Sequence, residues 1–290
     1  MISSRKEIRG ADVASHYDEL DRFYREIWGE HVHHGLWLRG DETQAQAVRQ
    51  LAEMVAREAA VTKGTRVVDI GCGYGATAQL MADEFGAEVT GLTISEAQYA
   101  IAQARAASHQ AQPSQELRPT NPTYIFGDWL TNTLPADSFD AAIAIESSEH
   151  MDKPGFFAQA RRVLRPGGRL VVNAWLSREA PTRNQVRWLI EPICREGRMP
   201  HLGTESDYRR LAAEAGFRVE KFQDVTRQIA RTWPMIVRVF LWNLLRKPAY
   251  IRFILDPKSK NAIFGFTIVR LWMAFRTGAM RYGVFTLVKE

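Results

Sequence analysis

The stretch Val67-Val68-Asp69-Ile70-Gly71-Cys72-Gly73-Tyr74-Gly75 decides the fold of this chain. Its apolar first half predicts a short buried β-strand, and the three glycines at alternate positions predict a tight turn where the strand ends. Because glycine tolerates positive φ and has no Cβ, the backbone of such a turn can approach a ligand closely. The helix-forming segment 76–85 follows. Together these features indicate a strand, a ligand-binding turn and a helix.

The spacing of the glycines narrows the kind of ligand. G-x-G-x-G differs from the G-x-G-x-x-G fingerprint, in which a helix N-terminus binds a pyrophosphate. Asp69 adds a carboxylate beside the turn, which suits a cationic amino-acid group better than a diphosphate. These residues resemble motif I of the class I S-adenosylmethionine (SAM) dependent methyltransferases, and the resemblance implies SAM as the cofactor. The alternative is a tight turn without a ligand. The cofactor-binding residues implied here are Asp69, Gly71, Cys72, Gly73 and Gly75.

Length and composition limit the class of protein. The chain has 290 residues, 46% of them hydrophobic, which is enough for one substantial core. Its two cysteines, Cys72 and Cys194, show no disulfide or metal-ligand spacing. The N-terminal residues lack the apolar run of a signal peptide, and no stretch of about 18 residues is free of charge. We therefore expect a cytoplasmic protein without a bound metal.

Strand and helix patterns alternate along most of the chain. Near-continuous apolar strands separated by helices indicate a mostly parallel sheet covered by helices on both faces, with its ligand at the carboxyl ends of the strands. The methyltransferase resemblance makes this an α/β, Rossmann-like sheet with an antiparallel last strand. The predicted strands are 66–70, 88–92, 123–126, 139–145, 169–175, 217–225 and 280–289. The predicted helices are 11–28, 43–60, 76–85, 95–107, 154–164, 182–196 and 205–215.

The same patterns divide the chain into four parts. We expect a helical cap at residues 1–62, a SAM-binding core at 63–225, a helical lid insert at 226–279 and the last strand of the core at 280–290. The polar, proline-bearing segment 108–122 reads as a surface loop within the core.

Two later strand ends resemble the remaining parts of a SAM site. The second strand lacks the usual ribose-binding acid and ends in Gly91-Leu92-Thr93-Ile94-Ser95. This turn is similar to a subset of small-molecule and lipid methyltransferases in which the threonine and a glutamine five residues on bind the ribose. Gly127-Asp128-Trp129 matches the position that binds adenine. A plain helix cap and a capped turn are the respective alternatives. The residues implied are Thr93, Ile94, Gln98, Gly127, Asp128 and Trp129.

The fourth strand ends in Ile145-Glu146-Ser147-Ser148-Glu149-His150-Met151. With residues 27–35 upstream, this end resembles the γ-tocopherol methyltransferase-like group, and more distantly the cyclopropane fatty acid synthases. Histidine near its usual pKa can accept a proton, so His150 is the predicted base, with Glu146 and Glu149 as alternatives and Glu146 also a cofactor contact. We expect Tyr17 and the histidine loop 31–34 to close over the cofactor. That loop has no Cys or acidic ligand at metal spacing.

The segment 226–279 interleaves aromatic residues with arginines. Residues 226–290 hold twelve Lys and Arg against two acidic residues, although the whole chain carries only +5. We interpret the segment as a lid over an acceptor pocket, with a basic rim for an anionic membrane surface. An ordinary helical layer with solvated arginines is the alternative. Nucleic acid is not an expected partner, because no nucleic-acid-binding motif accompanies the charge.

The resulting functional hypothesis is a SAM-dependent methyltransferase acting on a hydrophobic small molecule, such as a prenylated or aromatic chromanol or quinol, and peripheral to the membrane. Methylation of an isoprenoid diphosphate, with arginines binding phosphate, is the first alternative. A SAM-binding partner protein without catalysis is the second. A nicotinamide dehydrogenase fits less well, because both the glycine spacing and the absent ribose acid count against it.

Overall fold

The computed structural model describes residues 1–110, 121–256, 259 and 261–290. Within these residues the strands are β1 (Ile2–Ser3), β2 (Arg66–Ile70), β3 (Glu88–Thr93), β4 (Thr123–Phe126), β5 (Phe139–Ile145), β6 (Leu164–Ser177), β7 (His201–Leu202), β8 (Phe217–Asp224) and β9 (Met280–Lys289). The α-helices are α1 (Gly10–Trp28), α2 (Gln44–Glu58), α3 (Ala76–Phe85), α4 (Glu96–Gln110), α5 (Lys153–Val163), α6 (Arg183–Gln185), α7 (Glu191–Glu196), α8 (Glu205–Glu214), α9 (Thr226–Ile229), α10 (Thr232–Arg246), α11 (Pro248–Leu255) and α12 (Phe264–Arg276).

Seven strands form one sheet in the order β4-β3-β2-β5-β6-β9-β8. The pairs from β4 to β6 are parallel, and β9 lies between β6 and β8, antiparallel to both. The carboxyl ends of β2, β3, β4 and β5 therefore meet along one edge, where a ligand is expected. The predicted fold, a mostly parallel sheet with an antiparallel last strand, is confirmed.

The sheet is covered because its strands are apolar on both faces. Val67 and Val68 of β2 point to opposite faces, and both are fully buried. Val67 belongs to a core that includes side chains of α1, α2 and α3, whereas Val68 belongs to a second core with α5 and α8. This is the packing expected of a sheet whose strands read as continuous hydrophobic runs.

The structure differs from the predicted elements in three places. The single helix expected at 182–196 is α6, a π-helical segment at Val186–Ile190 and α7. Strand β6 begins before the predicted residue 169 and includes Gly167 at φ +74°, with a shift of pairing register opposite β5. The two-residue ladder of β1 with β7 was not predicted, because such short strands carry no periodic pattern. Most of the predicted loop 108–122 lies outside the described residues.

The helices α9 to α12 occupy the chain between β8 and β9. Trp233 of α10 and Tyr250 of α11 are buried, and Asn243 donates a hydrogen bond of 3.1 Å to the Tyr250 hydroxyl. None of the described helices is both long and apolar enough to cross a bilayer. The division into a cap, a core and a lid stays a prediction, because it concerns what the parts do.

Candidate active site

A cavity of about 430 Å³ lies at the carboxyl ends of β2, β3, β4 and β5. Parallel strands place their carboxyl ends together, so residues distant in sequence meet here. Most of the predicted cofactor residues line this cavity. They are Tyr17, Gly71, Gly73, Thr93, Ile94, Gln98, Gly127, Asp128, Trp129 and Glu146.

The three glycines of the turn differ in what a side chain at each position would contact. All have positive φ, of 77° at Gly71, 54° at Gly73 and 76° at Gly75. A Cβ on Gly71 would lie 2.5 Å from the Cβ of Ser147, and one on Gly75 would overlap Tyr124. A Cβ on Gly73 would meet nothing within 4 Å. Packing within the protein therefore requires the first and third glycines, whereas the second keeps space open beside the cavity.

Asp69 lies just before the turn and does not line the large cavity. Together with Cys72 and His31 it lines an adjoining space of about 40 Å³. Its Oδ2 is buried and has no hydrogen-bond partner in the described part of the chain, and burial raises the pKa of Asp69 to about 7. A buried carboxylate without a partner is costly, and a cationic group would compensate it.

The end of β3 forms a polar pair inside the cavity. Thr93 Oγ1 donates a hydrogen bond of 2.8 Å to Gln98 Oε1. Ser95 Oγ accepts from the Gln98 backbone N–H at 3.1 Å and so caps α4. Asp18 Oδ1 accepts from the Ala97 backbone N–H at 3.2 Å and completes the cap. Because the cap does not use the side chain of Gln98, the Thr93–Gln98 pair can face a ligand with adjacent hydroxyl groups.

The end of β4, the strand paired with β3, places Asp128 and Trp129 at the same cavity. Asp128 Oδ1 accepts a hydrogen bond of 2.9 Å from the Leu130 backbone N–H, so the capped turn that was the alternative is also present. A Cβ on Gly10, at the start of α1, would lie 3.0 Å from Asp128 Oδ2. The chain before α1 continues along the same wall, and its residues Ser4, Lys6, Glu7, Ile8 and Arg9 also line the cavity. Sequence analysis missed this segment, because it matches no motif.

His150 is positioned by hydrogen bonds to both ring nitrogens. Nδ1 lies 3.1 Å from the Arg198 carbonyl oxygen, and Nε2 lies 3.0 Å from the Tyr17 hydroxyl. A carbonyl only accepts, so Nδ1 carries the proton and Nε2 accepts from Tyr17. Burial lowers the pKa of His150 to about 4. The ring is therefore neutral at pH 7, with an acceptor nitrogen at the cavity wall.

Glu146 has a structural environment that the sequence did not predict. Its backbone has φ +53°, and its Oε1 accepts from His34 Nδ1 at 2.8 Å and from the Tyr282 hydroxyl at 2.7 Å. Oε2 accepts from Trp175 Nε1 at 3.0 Å. Burial alone would raise the pKa of Glu146, but the neighbouring His34 outweighs it and holds the pKa at about 2. Glu146 is thus a fixed carboxylate that anchors the histidine loop.

The histidine loop is only partly where it was expected. Val32 lines the large cavity, whereas His34 is 1% exposed and surrounded by the rings of Trp175, Trp233, Phe275 and Tyr282. His34 therefore packs below the site and does not close over it. In the described residues no group of three or more His, Cys, Asp or Glu side chains could hold a metal ion.

Glu149 lies in the short helical turn Ser148–His150 that follows β5. Its Oε1 accepts a hydrogen bond of 2.5 Å from the Trp175 backbone N–H. Burial raises the pKa of Glu149. It does not line the large cavity, but it lines a second one.

The second cavity, of about 80 Å³, adjoins the first at Tyr17, Val32, Glu146 and His150. Its walls come from α1, α7 and the helices between β8 and β9. Most of the lining is apolar or aromatic, including Trp28, Trp175, Met199, Trp233, Ile268 and Leu271. The two cavities together form two adjoining compartments with His150 at their junction, and the carboxyl groups of Glu146, Glu149 and Glu196 also line the second one.

Comparison with known proteins decides the family. The model of the mycolic acid cyclopropane synthetase family matches residues 4–243. The chain belongs to this family. It is 27% identical to the chloroplastic tocopherol O-methyltransferase of Arabidopsis thaliana, over 96% of this chain and 81% of that protein. It is 26% identical to the 2-methyl-6-phytyl-1,4-hydroquinone methyltransferase of Synechocystis sp., over 100% of this chain and 91% of that protein. A crystal structure of a mycolic acid cyclopropane synthase complexed with S-adenosylhomocysteine and CTAB has a TM-score of 0.82 and 21% identity, covering 99% of this chain and 100% of that one.

The protein is therefore a SAM-dependent methyltransferase, as predicted. The residues of the large cavity and of the adjoining space at Asp69 fit that cofactor. The unpartnered Asp69 Oδ2 suits the amino group of SAM, the open space at Gly73 allows the backbone to approach it, and the Thr93–Gln98 pair suits a ribose. When bound, SAM supplies an activated methyl group on a sulfonium sulfur.

Proposed function

We propose that this methyltransferase methylates a hydrophobic small molecule, a prenylated or aromatic acceptor such as a chromanol or quinol, in the second cavity. The observation that carries the proposal is a second cavity, with aromatic and aliphatic side chains in most of its wall, that adjoins the large cavity at His150. Aromatic and aliphatic walls bind a ring or a prenyl chain, and a few polar groups at one end orient it.

His150 is proposed as the group that takes the acceptor's proton. Its Nε2 is the atom that takes the proton, and both His150 and Tyr17 line the two cavities. In this structure the Tyr17 hydroxyl donates to Nε2, so that hydroxyl turns away from Nε2 when the acceptor's proton is transferred there. A pKa of about 4 makes His150 a weak base in the resting enzyme. A phenol or arenium ion becomes strongly acidic as it receives a methyl group, so a weak base that stays neutral at pH 7 is sufficient.

Glu146 and Glu149, the other predicted bases, are less suited to that step. Both oxygens of Glu146 already accept hydrogen bonds from His34, Tyr282 and Trp175. Glu149 is held by the Trp175 backbone N–H. We propose that Glu146 positions the loop next to the site and that Glu149 shapes the wall of the second cavity.

The second cavity favours an uncharged acceptor over an isoprenoid diphosphate. In the part of the chain that the structure describes, no Lys or Arg side chain lines it. A diphosphate requires cationic groups, of which arginine forks are the most suitable. Lys6 and Arg9 border the SAM compartment, so a diphosphate would have to compete with the cofactor for them.

The test is turnover with matched acceptors. The protein is incubated with SAM and with 2-methyl-6-phytyl-1,4-hydroquinone, a chromanol or geranyl diphosphate, and release of S-adenosylhomocysteine is measured. We expect release with the quinol or the chromanol and none above background with geranyl diphosphate. Release with geranyl diphosphate alone would replace this proposal with the diphosphate alternative.

A further inference from the structure

The helices between β8 and β9 expose an unusual amount of apolar surface. Leu245 is 83% exposed and Phe266 is 71% exposed. We call this surface the insert face. Its exposed apolar side chains are Leu241, Trp242 and Leu245 of α10, Ile251 and Leu255 of α11, and Ile263, Phe266, Val269 and Met273 in and beside α12. A monomeric protein in water rarely exposes so many large apolar side chains in neighbouring helices, so the face is expected to have a partner.

The insert face is also basic. Four arginines of these helices are exposed: Arg238, Arg246, Arg252 and Arg276. The Arg246 guanidinium lies 3.8 Å from the centroid of the Trp242 ring, and Arg276 lies over Trp272. Exposed aromatic rings with arginines beside them are typical of segments that lie in the headgroup region of a bilayer.

Helix α12 lies between the insert face and the second cavity. Its residues Thr267, Ile268 and Leu271 line the second cavity, whereas Phe266, Val269 and Met273 are exposed. A single helix therefore separates the second cavity from the insert face. The 80 Å³ of that compartment is far below the several hundred Å³ that enclose a whole ligand, so it holds the reacting head of an extended acceptor.

We propose that the insert face docks on an anionic lipid bilayer and that the prenyl tail of the acceptor remains on the bilayer side of α12 while its head occupies the second cavity. The docking rests on the insert face alone, and the position of the tail rests on the proposed function. An anionic bilayer matches both properties of the face, because it accepts apolar side chains and attracts arginines. A neutral protein groove would match only the first.

Docking is tested by co-sedimentation of the full chain with vesicles. One set is phosphatidylcholine alone, and the other is equal parts phosphatidylcholine and phosphatidylglycerol. We expect binding to the anionic set at about 50 mM salt and release at about 500 mM, where charges are screened within a few Å. Equal recovery with both sets, or recovery with neither, overturns the proposal. A concentration-dependent dimer whose formation prevents vesicle binding would assign the face to a second copy and also overturn it.

Matched variants locate the docking surface. Leu245→Glu/Phe266→Glu places two carboxylates on the insert face and should reduce the vesicle-bound fraction about tenfold at low salt. Leu38→Glu changes another exposed leucine, which is 63% exposed but lies outside the face, and should bind like the wild type. Circular dichroism checks that each variant is folded. Equal loss in both variants would show that the binding is not made by the insert face.

Kinetics separate this proposal from the proposed function. With the quinol embedded in anionic vesicles, the Leu245→Glu/Phe266→Glu variant should lose most of its turnover, and with the quinol in detergent micelles it should retain it. Vesicle binding without methylation of any quinol or chromanol would leave the docking in place and overturn both the position of the tail and the proposed function. Equal turnover by variant and wild type in vesicles would instead overturn the docking.

Discussion

Gly73 is the residue whose replacement tests the cofactor site most directly. A Cβ there would point into open space beside the cavity, with no described atom within 4 Å. We expect Gly73→Ala to weaken SAM binding at least about tenfold, because the methyl group occupies the space that the ligand needs. Isothermal titration calorimetry with SAM measures the change.

The control for Gly73 must share its backbone strain. Gly167 has φ +74° and also has nothing within 4 Å of an added Cβ, but it lies in the turn before the buried part of β6, away from the cavity. Gly167→Ala should lose a similar amount of stability, about 1 kcal/mol, and retain wild-type SAM affinity. Equal weakening in the two variants would mean that strain, and not the ligand, explains the loss.

Substitutions of His150 and Tyr17 test the proposed proton transfer at the junction of the cavities. His150→Gln removes the acceptor nitrogen, so we expect kcat to fall by about 10²–10⁴-fold with SAM affinity unchanged. Tyr17→Phe keeps the ring and removes the hydroxyl that lies 3.0 Å from His150 Nε2, so its effect should be smaller. A kcat within threefold of the wild type in His150→Gln would make His150 a structural residue.

For single residues, the sequence predicted contacts within a short motif. It missed contacts between residues that are distant in sequence and meet only in the folded protein. Thr93 and Gln98 were assigned to one site because their spacing resembles a known ribose-binding turn, and the structure brings the two side chains within 2.8 Å of each other. The pairing of His34 with Glu146 joins residues 112 apart, and no local pattern announces it. The sequence therefore predicted which residues lie at the site, but it did not predict the hydrogen bonds that hold them there.

Among the elements, the strands of the sheet were predicted well because hydrophobic runs mark them. Strand β2 has the bounds that its apolar run predicts. The π-helical segment at Val186–Ile190 was missed, because an extra residue per turn leaves the helical pattern almost unchanged. The residues before α1 were assigned to the helical cap without a role in binding, yet Ser4 and residues 6–9 line the large cavity.

Helix α12 allows a test of the acceptor compartment within one element. Leu271 lines the second cavity and is 6% exposed, whereas Val269, two residues away, is 42% exposed on the outer side. Leu271→Trp should fill the cavity and lower kcat/KM for the acceptor at least about tenfold, with SAM affinity unchanged. Val269→Trp should leave kcat/KM in detergent near the wild-type value. Similar kinetics for the two variants would place the acceptor elsewhere.

For the whole molecule, the sequence revealed that basic charge is concentrated near the C-terminus, but it could not show which side chains point outward. That depends on which face of each helix the core takes. Lys247, for example, pairs with Glu26 of α1 at 2.9 Å, and Arg270 pairs with the buried Glu196. The structure separates these inward pairs from the arginines that are exposed, which are Arg238, Arg246, Arg252 and Arg276.

Stability of the whole molecule should depend on pH through histidines buried between α1 and the rest of the protein. Burial lowers the pKa of His16 to about 3, and its ring contacts Asn261 at 2.8 Å and Tyr24 at 3.0 Å, near His150 and Arg198. Unfolded histidine has a pKa of about 6.5, so between pH 6.5 and 3 the unfolded chain binds a proton that folded His16 does not. The free energy of unfolding therefore falls as the pH falls through this window, by about 1.4 kcal/mol per unit for this residue.

The variant His16→Gln isolates that contribution from groups that act in the opposite direction. Burial raises the pKa of Asp69 and of Glu149, so these carboxyls bind protons in the folded state first and oppose the histidines below pH 7. Wild type and variant both contain these carboxyls, so their effect cancels in the difference between the two unfolding free energies. That difference should be constant above pH 7 and change by about 1.4 kcal/mol per pH unit below pH 6. Urea unfolding from pH 4.5 to pH 8 measures it. Parallel curves over the whole range would mean that His16 titrates normally in the folded protein and that the region around α1 admits water.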